Sequence, residues 1–265
     1  MTETDATHGV RVESRGATEI WTIDRPDRMN ALGRATVREL WRLARTAAQN
    51  DAVRAVVITG AGGRAFSAGA DLKERQGMTE EDVRDFLSLY RVSFGAIDAL
   101  PKPVIAALDG VAFGGGLELA LSADIRVMRS DTQLGLTETS LGIIPGAGGT
   151  QRLTRLVGPA RAKDLILFAR RLSADDALRY GIVEHVAPAG KQALDVALEL
   201  AAQLEAGAPI ALGAALEAID AATDLGLEEG LTVERRCYER TLASEDRLEA
   251  LKAFQAKRKP VFRGR

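Results

Sequence analysis

Two glutamates and a short run of glycines are the residues whose types and spacing could perform chemistry. Glycines occupy positions 114–116, Glu118 follows two residues later, and Glu138 comes twenty residues after that, ahead of an apolar segment. Glycines between a buried strand and a helix leave free N–H groups that could bind an anion, including one formed only during a reaction. Two carboxylates beside such a pocket could move protons at a polarised carbonyl. The same residues could instead cap helices and pack tightly, and the spacing leaves both interpretations open.

Several other chemistries lack their residues. The sequence contains no G-x-x-x-x-G-K-[ST] phosphate loop. The glycines at 60–63 follow a predicted strand, but the helix that a dinucleotide site requires does not follow them. The single cysteine, Cys237, excludes an internal disulfide framework and a cysteine-rich zinc site. Of the two histidines, His8 lies in a polar leader and His185 fits an ordinary strand end. We therefore expect no metal site.

The composition is that of a globular protein with one large domain, or a domain plus a smaller appendage. The chain has 265 residues, of which 46% are hydrophobic and 27% charged, and 35 basic against 37 acidic residues give a net charge of −2. This balance argues against a dedicated nucleic-acid-binding or membrane-surface protein. No apolar run reaches the roughly 18 residues of a membrane span. The polar start (MTETDATHGV) predicts a cytoplasmic protein, or an organellar one that has already been processed.

Apolar periodicity predicts alternating strands and helices, followed by a purely helical region. Because strand, helix and strand alternate, we expect an α/β fold with parallel pairing. The predicted strands are 19–24, 55–59, 104–108, 125–128 and 182–186. The predicted helices are 31–50, 79–100, 114–123, 194–205, 209–223, 227–242 and 246–256, before a basic tail at 257–265. We divide the chain into a core with the active site at 1–206 and a C-terminal helical oligomerisation region at 207–265.

Three segments resemble the motifs of the crotonase, or enoyl-CoA hydratase/isomerase, superfamily. They are 66–72 (FSAGADL), 109–120 (DGVAFGGGLELA) and 142–153 (GIIPGAGGTQRL), and the resemblance covers almost the whole chain. It implies a spiral core of ββα units with a C-terminal helical subdomain, and homotrimers that often pair into hexamers. It also implies an acyl-CoA thioester as substrate, with coenzyme A entering as part of it and no separate cofactor.

The same resemblance assigns roles to the matching residues. The N–H groups of Ala70 and Gly115 would form the oxyanion hole that holds the thioester oxygen. Hydratases of the family carry two glutamates, matched here by Glu118 and Glu138, whereas isomerases typically keep one. Glu118 would activate water for attack at C3, and Glu138 would deliver a proton to C2. An enoyl-CoA hydratase is therefore the preferred interpretation, with an isomerase or another lyase of the family as the alternative.

The resemblance further implies contacts to coenzyme A from two subunits. The C-terminal region of one subunit would reach the CoA bound by its neighbour. The expected contacts are Arg28, Ala68, Asp71, Leu72 and Lys73 within one chain, and Phe254 and Lys257 from the neighbour. Lys73 would meet a CoA phosphate as a point charge.

Within the family the chain looks most like the 3-methylglutaconyl-CoA hydratases of leucine breakdown, a group that includes RNA-binding members. The acyl pocket is expected near 75–90, where a cation could pair with a distal carboxylate or lie in solvent. The candidate cations are Arg75, Arg84 and Arg91. A stripe of arginines on the first helix could bind RNA or form a solvated face, and it comprises Arg34, Arg38, Arg42 and Arg45.

Overall fold

Ten short strands form two sheets in the computed structural model, which describes residues 8–265. In chain order they are β1 (Val10–Arg15), β2 (Thr18–Ile23), β3 (Ala55–Gly60), β4 (Ala65–Ser67), β5 (Val104–Leu108), β6 (Val111–Phe113), β7 (Ile125–Arg129), β8 (Gln133–Gly135), β9 (Leu172–Ser173) and β10 (His185–Ala187). The larger sheet has the order β1-β2-β3-β5-β7-β10 and the smaller one β4-β6-β8-β9. The β1–β2 and β8–β9 pairs are antiparallel, and every other pair is parallel.

Eleven α-helices surround these sheets within residues 8–265. They are α1 (Arg34–Gln49), α2 (Leu72–Arg75), α3 (Glu80–Asp98), α4 (Gly115–Ala120), α5 (Gly149–Val157), α6 (Pro159–Leu167), α7 (Ala174–Arg179), α8 (Ala193–Glu205), α9 (Pro209–Ala221), α10 (Leu227–Leu242) and α11 (Glu245–Gln255). Two 3-10 helices span Pro26–Arg28 and Glu138–Leu141. Thr79 and Asp82 form a capping box at the start of α3.

The chain repeats one unit three times. A strand of the larger sheet is followed by a short strand of the smaller sheet and then by a helix, as in β3-β4-α2, β5-β6-α4 and β7-β8 followed by the second 3-10 helix. Because the short strands β4, β6 and β8 pair in parallel, their carboxyl ends lie at the same edge of the smaller sheet. The predicted α/β spiral of ββα units with a helical C-terminal region is confirmed.

Both faces of the larger sheet are covered by helices. Along β3 the side chains alternate: Val56 and Ile58 pack into the cluster that contains α1 and α3, and Val57 packs against α8. Every residue of β3 is buried, which explains why this strand reads as a continuous apolar run. Asp109 fixes the start of α8, because its carboxylate accepts hydrogen bonds from the N–H groups of Ala193 and Leu194.

The C-terminal helices form a layer to which the last residues of the chain are hydrogen-bonded. Buried Asp246 accepts hydrogen bonds from the N–H groups of Arg263 and Gly264, at 2.7 and 2.8 Å. The predicted basic tail is therefore anchored. This layer exposes many large apolar side chains, namely Ile219, Leu225, Leu227, Leu231, Tyr238, Leu242, Leu248, Leu251, Phe254 and Val261. The predicted boundary between residues 206 and 207 and its oligomerisation role stay predictions.

Some predicted element bounds are wrong. The strand predicted at 182–186 is only β10, because Ile182 and Val183 are buried in a turn, where both N–H groups bond to the carbonyl of Ala177. The helix predicted at 114–123 ends at Ala120. The prediction also lacked β1, the two- and three-residue strands of the smaller sheet, and helices α2, α5, α6 and α7.

No single helix within residues 8–265 is long and apolar enough to cross a membrane, although α8 and α9, bent by 112° at their break, pass the length and composition criteria as a pair. The first seven residues of the polar start, which supports the cytoplasmic prediction, lie outside the described part of the chain.

Candidate active site

A cavity of about 550 Å³ opens at the edge where the three parallel short strands end. Ala68, Gly69 and Ala70 follow β4, Gly114 and Gly115 follow β6, and Thr137 and Glu138 follow β8. Carboxyl ends of parallel strands are where α/β sheets commonly place ligands. Three sequence motifs that lie far apart along the chain therefore meet here, and both candidate glutamates line the cavity.

Two backbone N–H groups at the cavity are free to bind an oxygen atom. Neither Ala70 nor Gly115 donates its N–H to any acceptor within residues 8–265. The loops that carry them touch closely: a Cβ atom at Gly69 would lie 2.8 Å from the Phe113 carbonyl oxygen, and Gly69 has a φ of +93°. Only glycine tolerates both the contact and the left-handed backbone. This arrangement is consistent with the predicted oxyanion hole.

Glu118 is a buried carboxylate held by backbone donors. Its Oε1 accepts hydrogen bonds from the N–H groups of Ala147 and Gly149, at 2.7 and 2.8 Å. Burial raises the pKa of Glu118, while these two bonds and the charge of Arg152 favour the ionised form. The second carboxylate oxygen, Oε2, is left to accept a hydrogen bond from a ligand.

Glu138 is buried without a hydrogen-bonding partner for its carboxyl group. Neither Oε1 nor Oε2 has a partner within the described part of the chain. Burial and the nearby charge of Glu118 raise the pKa of Glu138 to about 7. A Cβ atom at Gly114 would lie 3.3 Å from Glu138 Oε1, so the carboxyl group packs against the glycine run.

The two glutamates differ in how the ionised form of each carboxyl group is stabilised. Two N–H donors favour the ionised form of Glu118, whereas Glu138 has no such donors and its pKa is raised to about 7. Carboxyl groups whose environments differ in this way are the usual basis for one base and one acid in the same site. The geometry can therefore remove a proton with Glu118 and supply one with Glu138, beside two donors for a carbonyl oxygen.

The residues expected to contact CoA have different placements in the single chain. Ala68 and Leu72 line the cavity, and Lys73 is exposed beside it. Asp71 is instead buried and caps α2. Its carboxylate pairs with Arg25 at 2.7 Å and with the exposed Arg28 at 3.3 Å, so its side chain is committed to structure. Phe254 lies in the last turn of α11 and Lys257 two residues after its end, and neither lines this chain's cavity.

Sequence reasoning missed several residues of the site. The amides of Ala147 and Gly149 lie in the motif 142–153, whose glycines were the available signal. Tyr90, the last residue of the segment in which the acyl pocket was expected, lines the cavity and donates a hydrogen bond from its hydroxyl to the Leu32 carbonyl at 2.9 Å.

The basic stripe on α1 is largely occupied by neighbouring side chains. Arg34 pairs with Asp82 at 3.0 Å, and Arg42 pairs with Glu39 at 2.6 Å. The Arg45 guanidinium lies over a tryptophan ring. These contacts neutralise or cover most of the stripe, which gives no argument for RNA binding. Within residues 8–265 no cluster of three or more His, Cys, Asp or Glu side chains could hold a metal ion.

The fold and the site combine two loops that carry free backbone N–H groups with a pair of buried carboxyl groups, and the comparisons with known proteins identify the family. The family model described as "Enoyl-CoA hydratase/isomerase" matches residues 14–265, and the chain belongs to that family. It is 44% identical over 251 residues to the enoyl-CoA isomerase/hydratase fer4 of Mycosarcoma maydis, covering 92% of this chain and 91% of that protein. It is 42% identical over 255 residues to the mitochondrial methylglutaconyl-CoA hydratase of Rattus norvegicus, covering 95% of this chain and 81% of that protein.

A solved structure also has the same fold as this chain. The crystal structure of the enoyl-CoA hydratase from Bacillus anthracis superposes with a TM-score of 0.94 at 43% identity, and the match covers 97% of this chain and 100% of that one. The resemblance drawn from the three motifs is confirmed.

Gly115→Ala is expected to lose activity, whereas Gly116→Ala is expected to lose stability. A Cβ atom at Gly115 would make only ordinary contacts, the nearest at 3.6 Å from the Ala70 nitrogen, so the variant should fold but block the oxyanion hole. We expect kcat/KM on an enoyl-CoA to fall about 10²-fold or more, the cost of losing such a donor. A Cβ atom at Gly116 would lie 2.2 Å from the Ser67 carbonyl oxygen, so that variant should lose about 1–3 kcal/mol of stability. Full activity of Gly115→Ala would place the oxyanion hole elsewhere.

Glu138→Gln is expected to remove a pH dependence of stability. The pKa of Glu138 is about 7 in the folded protein against an ordinary 4.5. The folded state therefore binds the proton more tightly, and ionisation lowers the free energy of unfolding as pH rises from 4.5 to 7. Gln cannot ionise, so the free energy of unfolding of the variant should not fall in this way. The difference in free energy of unfolding between variant and wild type should therefore shift in favour of the variant by up to about 3 kcal/mol from pH 4.5 to pH 8. Urea unfolding at both pH values measures this, with exposed Glu81→Gln as control. If the free energy of unfolding changed with pH by the same amount in wild type and in both variants, the raised pKa of Glu138 would be contradicted.

Proposed function

We propose that the chain is an enoyl-CoA hydratase, which adds water reversibly across the C2=C3 double bond of an acyl-CoA thioester. The observation that carries the proposal is the pair of buried carboxyl groups, one held by two backbone donors and the other without a partner, beside two free N–H groups. An isomerase that shuttles one proton needs one such group. Hydration needs a base for water and an acid for carbon, which is what two glutamates on separate elements provide.

The reaction follows from the positions of these groups. The thioester oxygen binds between the N–H groups of Ala70 and Gly115, which stabilise the negative charge that develops on it. Glu118 accepts a proton from water through Oε2 as the water oxygen attacks C3. Glu138 then transfers its proton to C2, so the elements of one water molecule are added, and before the next turnover Glu118 releases a proton to solvent and Glu138 takes one up. No electron is gained or lost overall, and we propose that no cofactor beyond the CoA of the substrate takes part.

The acyl group of the substrate is a finer proposal. A relative named methylglutaconyl-CoA hydratase shares 42% of residues with this chain, which supports 3-methylglutaconyl-CoA as one candidate. A short-chain enoyl-CoA is the other. Because the relative fer4 is named an isomerase/hydratase, isomerisation of a 3-enoyl-CoA should be assayed alongside hydration.

Substitution of each glutamate tests the two-carboxylate mechanism. Glu118→Gln and Glu138→Gln should each lower hydration of crotonyl-CoA by about 10²-fold or more, the scale of positioned acid or base catalysis. Binding of the thioester should be kept, because the oxyanion donors are backbone groups. The double variant should lose less than the product of the single losses, because both groups act on one water addition. Loss of the conjugated thioester absorbance reports the rate, with Glu81→Gln as control. Near wild-type turnover in either single variant would reject the mechanism.

We also propose that the chain works as a trimer or a pair of trimers, with the end of α11 reaching a neighbour's CoA. The exposed apolar side chains of the C-terminal layer support a subunit interface, and Phe254 is 85% exposed beside the cationic Lys257. Lys73 of the same subunit would add a second cation near the CoA phosphates.

Mixed oligomers test this arrangement. Lys257→Glu should raise KM more than it lowers kcat, because a phosphate contact stabilises ground and transition states equally. Co-refolding Lys257→Glu chains with Glu138→Gln chains should restore some complete sites, each with glutamates from one chain and a tail from another. Mixtures of Glu118→Gln with Glu138→Gln are the control, since both glutamates line one cavity in a single chain. Activity no higher than the average of the parents would contradict a tail that acts between subunits.

A further inference from the structure

The carboxylate of Glu118 depends on one turn of backbone, residues 147–149, at the start of α5. Ala147 and Gly149 each donate an N–H group to its Oε1. Gly148 lies between the two donors with a left-handed backbone, at a φ of +107°. A Cβ atom at Gly149 would lie 3.0 Å from Glu118 Oε1, so the turn and the carboxylate are also closely packed. Any group that holds this turn in place therefore sets the position of the proposed base.

Arg152 packs its guanidinium against this turn. The residue is half-buried in the first turn of α5, and its Nη1 lies 3.5 Å from the Ala147 carbonyl oxygen. A Cβ atom at Gly148 would collide with the same nitrogen, so the guanidinium lies directly against the backbone between the two donors. Arg152 does not line the active-site cavity. It therefore contacts the support of the base and lies outside the space that a substrate would occupy.

Asp98 fixes the other side of the guanidinium. It is the last residue of α3, and its Oδ2 accepts a hydrogen bond from Nη2 of Arg152 at 3.0 Å. Arg152 thus joins the turn 147–149 to a helix that itself lines the cavity, through Leu87 and Tyr90. A planar guanidinium is suited to this bridge because it presents donors in two directions at once.

The charge of Arg152 also acts on Glu118. Burial raises the pKa of Glu118, while its two backbone hydrogen bonds and the charge of Arg152 lower it. Two other ionisable groups interact with Glu118. Glu138 has its own pKa raised by the charge of Glu118, and burial raises the pKa of Tyr90, so that its hydroxyl stays protonated. Arg152 is therefore the cation that favours the ionised base.

We propose that Arg152 is a positioning residue for the base: anchored by Asp98, its guanidinium holds the turn 147–149 so that both amides stay bonded to Glu118. This inference rests on the proposed hydratase function for its kinetic consequences, and it adds to that function a residue outside the cavity. Displacing a reacting group by about 1 Å can cost about 10²-fold in rate, so the support of the base bears directly on turnover.

Arg152→Gln should lower kcat more than it changes KM. We expect kcat for crotonyl-CoA to fall about 10- to 100-fold, with KM changed by less than about threefold because Arg152 does not line the cavity. Loss of the cation raises the pKa of Glu118, and a base acts only when ionised, so the acidic limb of the kcat/KM profile should move to higher pH. Arg152→Lys should recover part of kcat and return the limb towards its wild-type position, because it restores the charge without the planar bridge.

Hydrogen exchange, read by mass spectrometry, measures the turn itself in the absence of substrate. We expect the segment 146–150 to exchange about tenfold faster in Arg152→Gln than in wild type, because the two amides would leave Glu118 more often. Asp98→Asn removes the anchor from the other side. It should change exchange and kcat in the same direction but less, and it should not move the acidic limb to higher pH, because the charge of Arg152 remains.

These measurements separate the positioning role from the hydratase proposal. If the protein hydrates no enoyl-CoA but exchange at 146–150 accelerates in Arg152→Gln and in Asp98→Asn, the hydratase function fails and the positioning role stands. If hydration proceeds and exchange is unchanged in both variants, the positioning role fails.

The matched control is Arg155→Gln, three residues further along α5. Arg155 is exposed and pairs with Asp224 at 3.0 Å, so its loss should change neither kcat, the pH profile nor exchange of the turn. Equal effects in this control would overturn the proposal, since they would mean that α5 loosens as a whole. A loss of kcat in Arg152→Gln without movement of the acidic limb would indicate a structural role alone, and a change confined to KM would indicate a contact with CoA. Either result would overturn the proposal as well.

Discussion

The close contact between the loop after β4 and the loop after β6 is the constraint on which the site depends. A side chain at Gly69 would collide with the Phe113 carbonyl, so the two backbones touch directly and bring the N–H groups of Ala70 and Gly115 to one place. The smaller sheet positions both loops, because each loop directly follows one of its paired strands, β4 or β6. A third segment is bonded to the loop after β4, because Leu32 donates its N–H group to the Gly69 carbonyl.

The second determinant is the difference in hydrogen bonding between two buried carboxyl groups. Burial disfavours the charge on both, but Glu118 receives two backbone donors and Glu138 receives none. Two ionised carboxylates in one apolar cavity would repel each other, and the charge of Glu118 contributes to the raised pKa of Glu138. The two carboxyl groups are thus distinguished by their hydrogen bonds, since the residue types are identical.

The sequence predicts the chemical groups of the site better than it predicts their support. Glu118, Ala70 and Gly115 lie in motifs whose order and composition are specific, and Glu138 shortly precedes the third motif, so their convergence was predictable from the resemblance. The role of Asp71 was not predictable, because an acidic residue after Gly-Ala reads equally as a ligand contact or a helix cap. Strands such as Leu172–Ser173 are too short to carry a period.

The hydrogen bonds of Glu118 also bear on how this chain could change over evolution. The amides it accepts from belong to Ala147 and Gly149, at the start of α5. A neutral residue of another shape at position 118 would leave those donors buried and unpaired, which costs about 1–3 kcal/mol. Replacing Glu118 therefore also frees the segment at the start of α5, which forms a wall of the cavity through Ala147. A descendant with a different chemistry would have to rebuild that wall first, whereas Glu138, which supports no neighbour, could be exchanged at little structural cost.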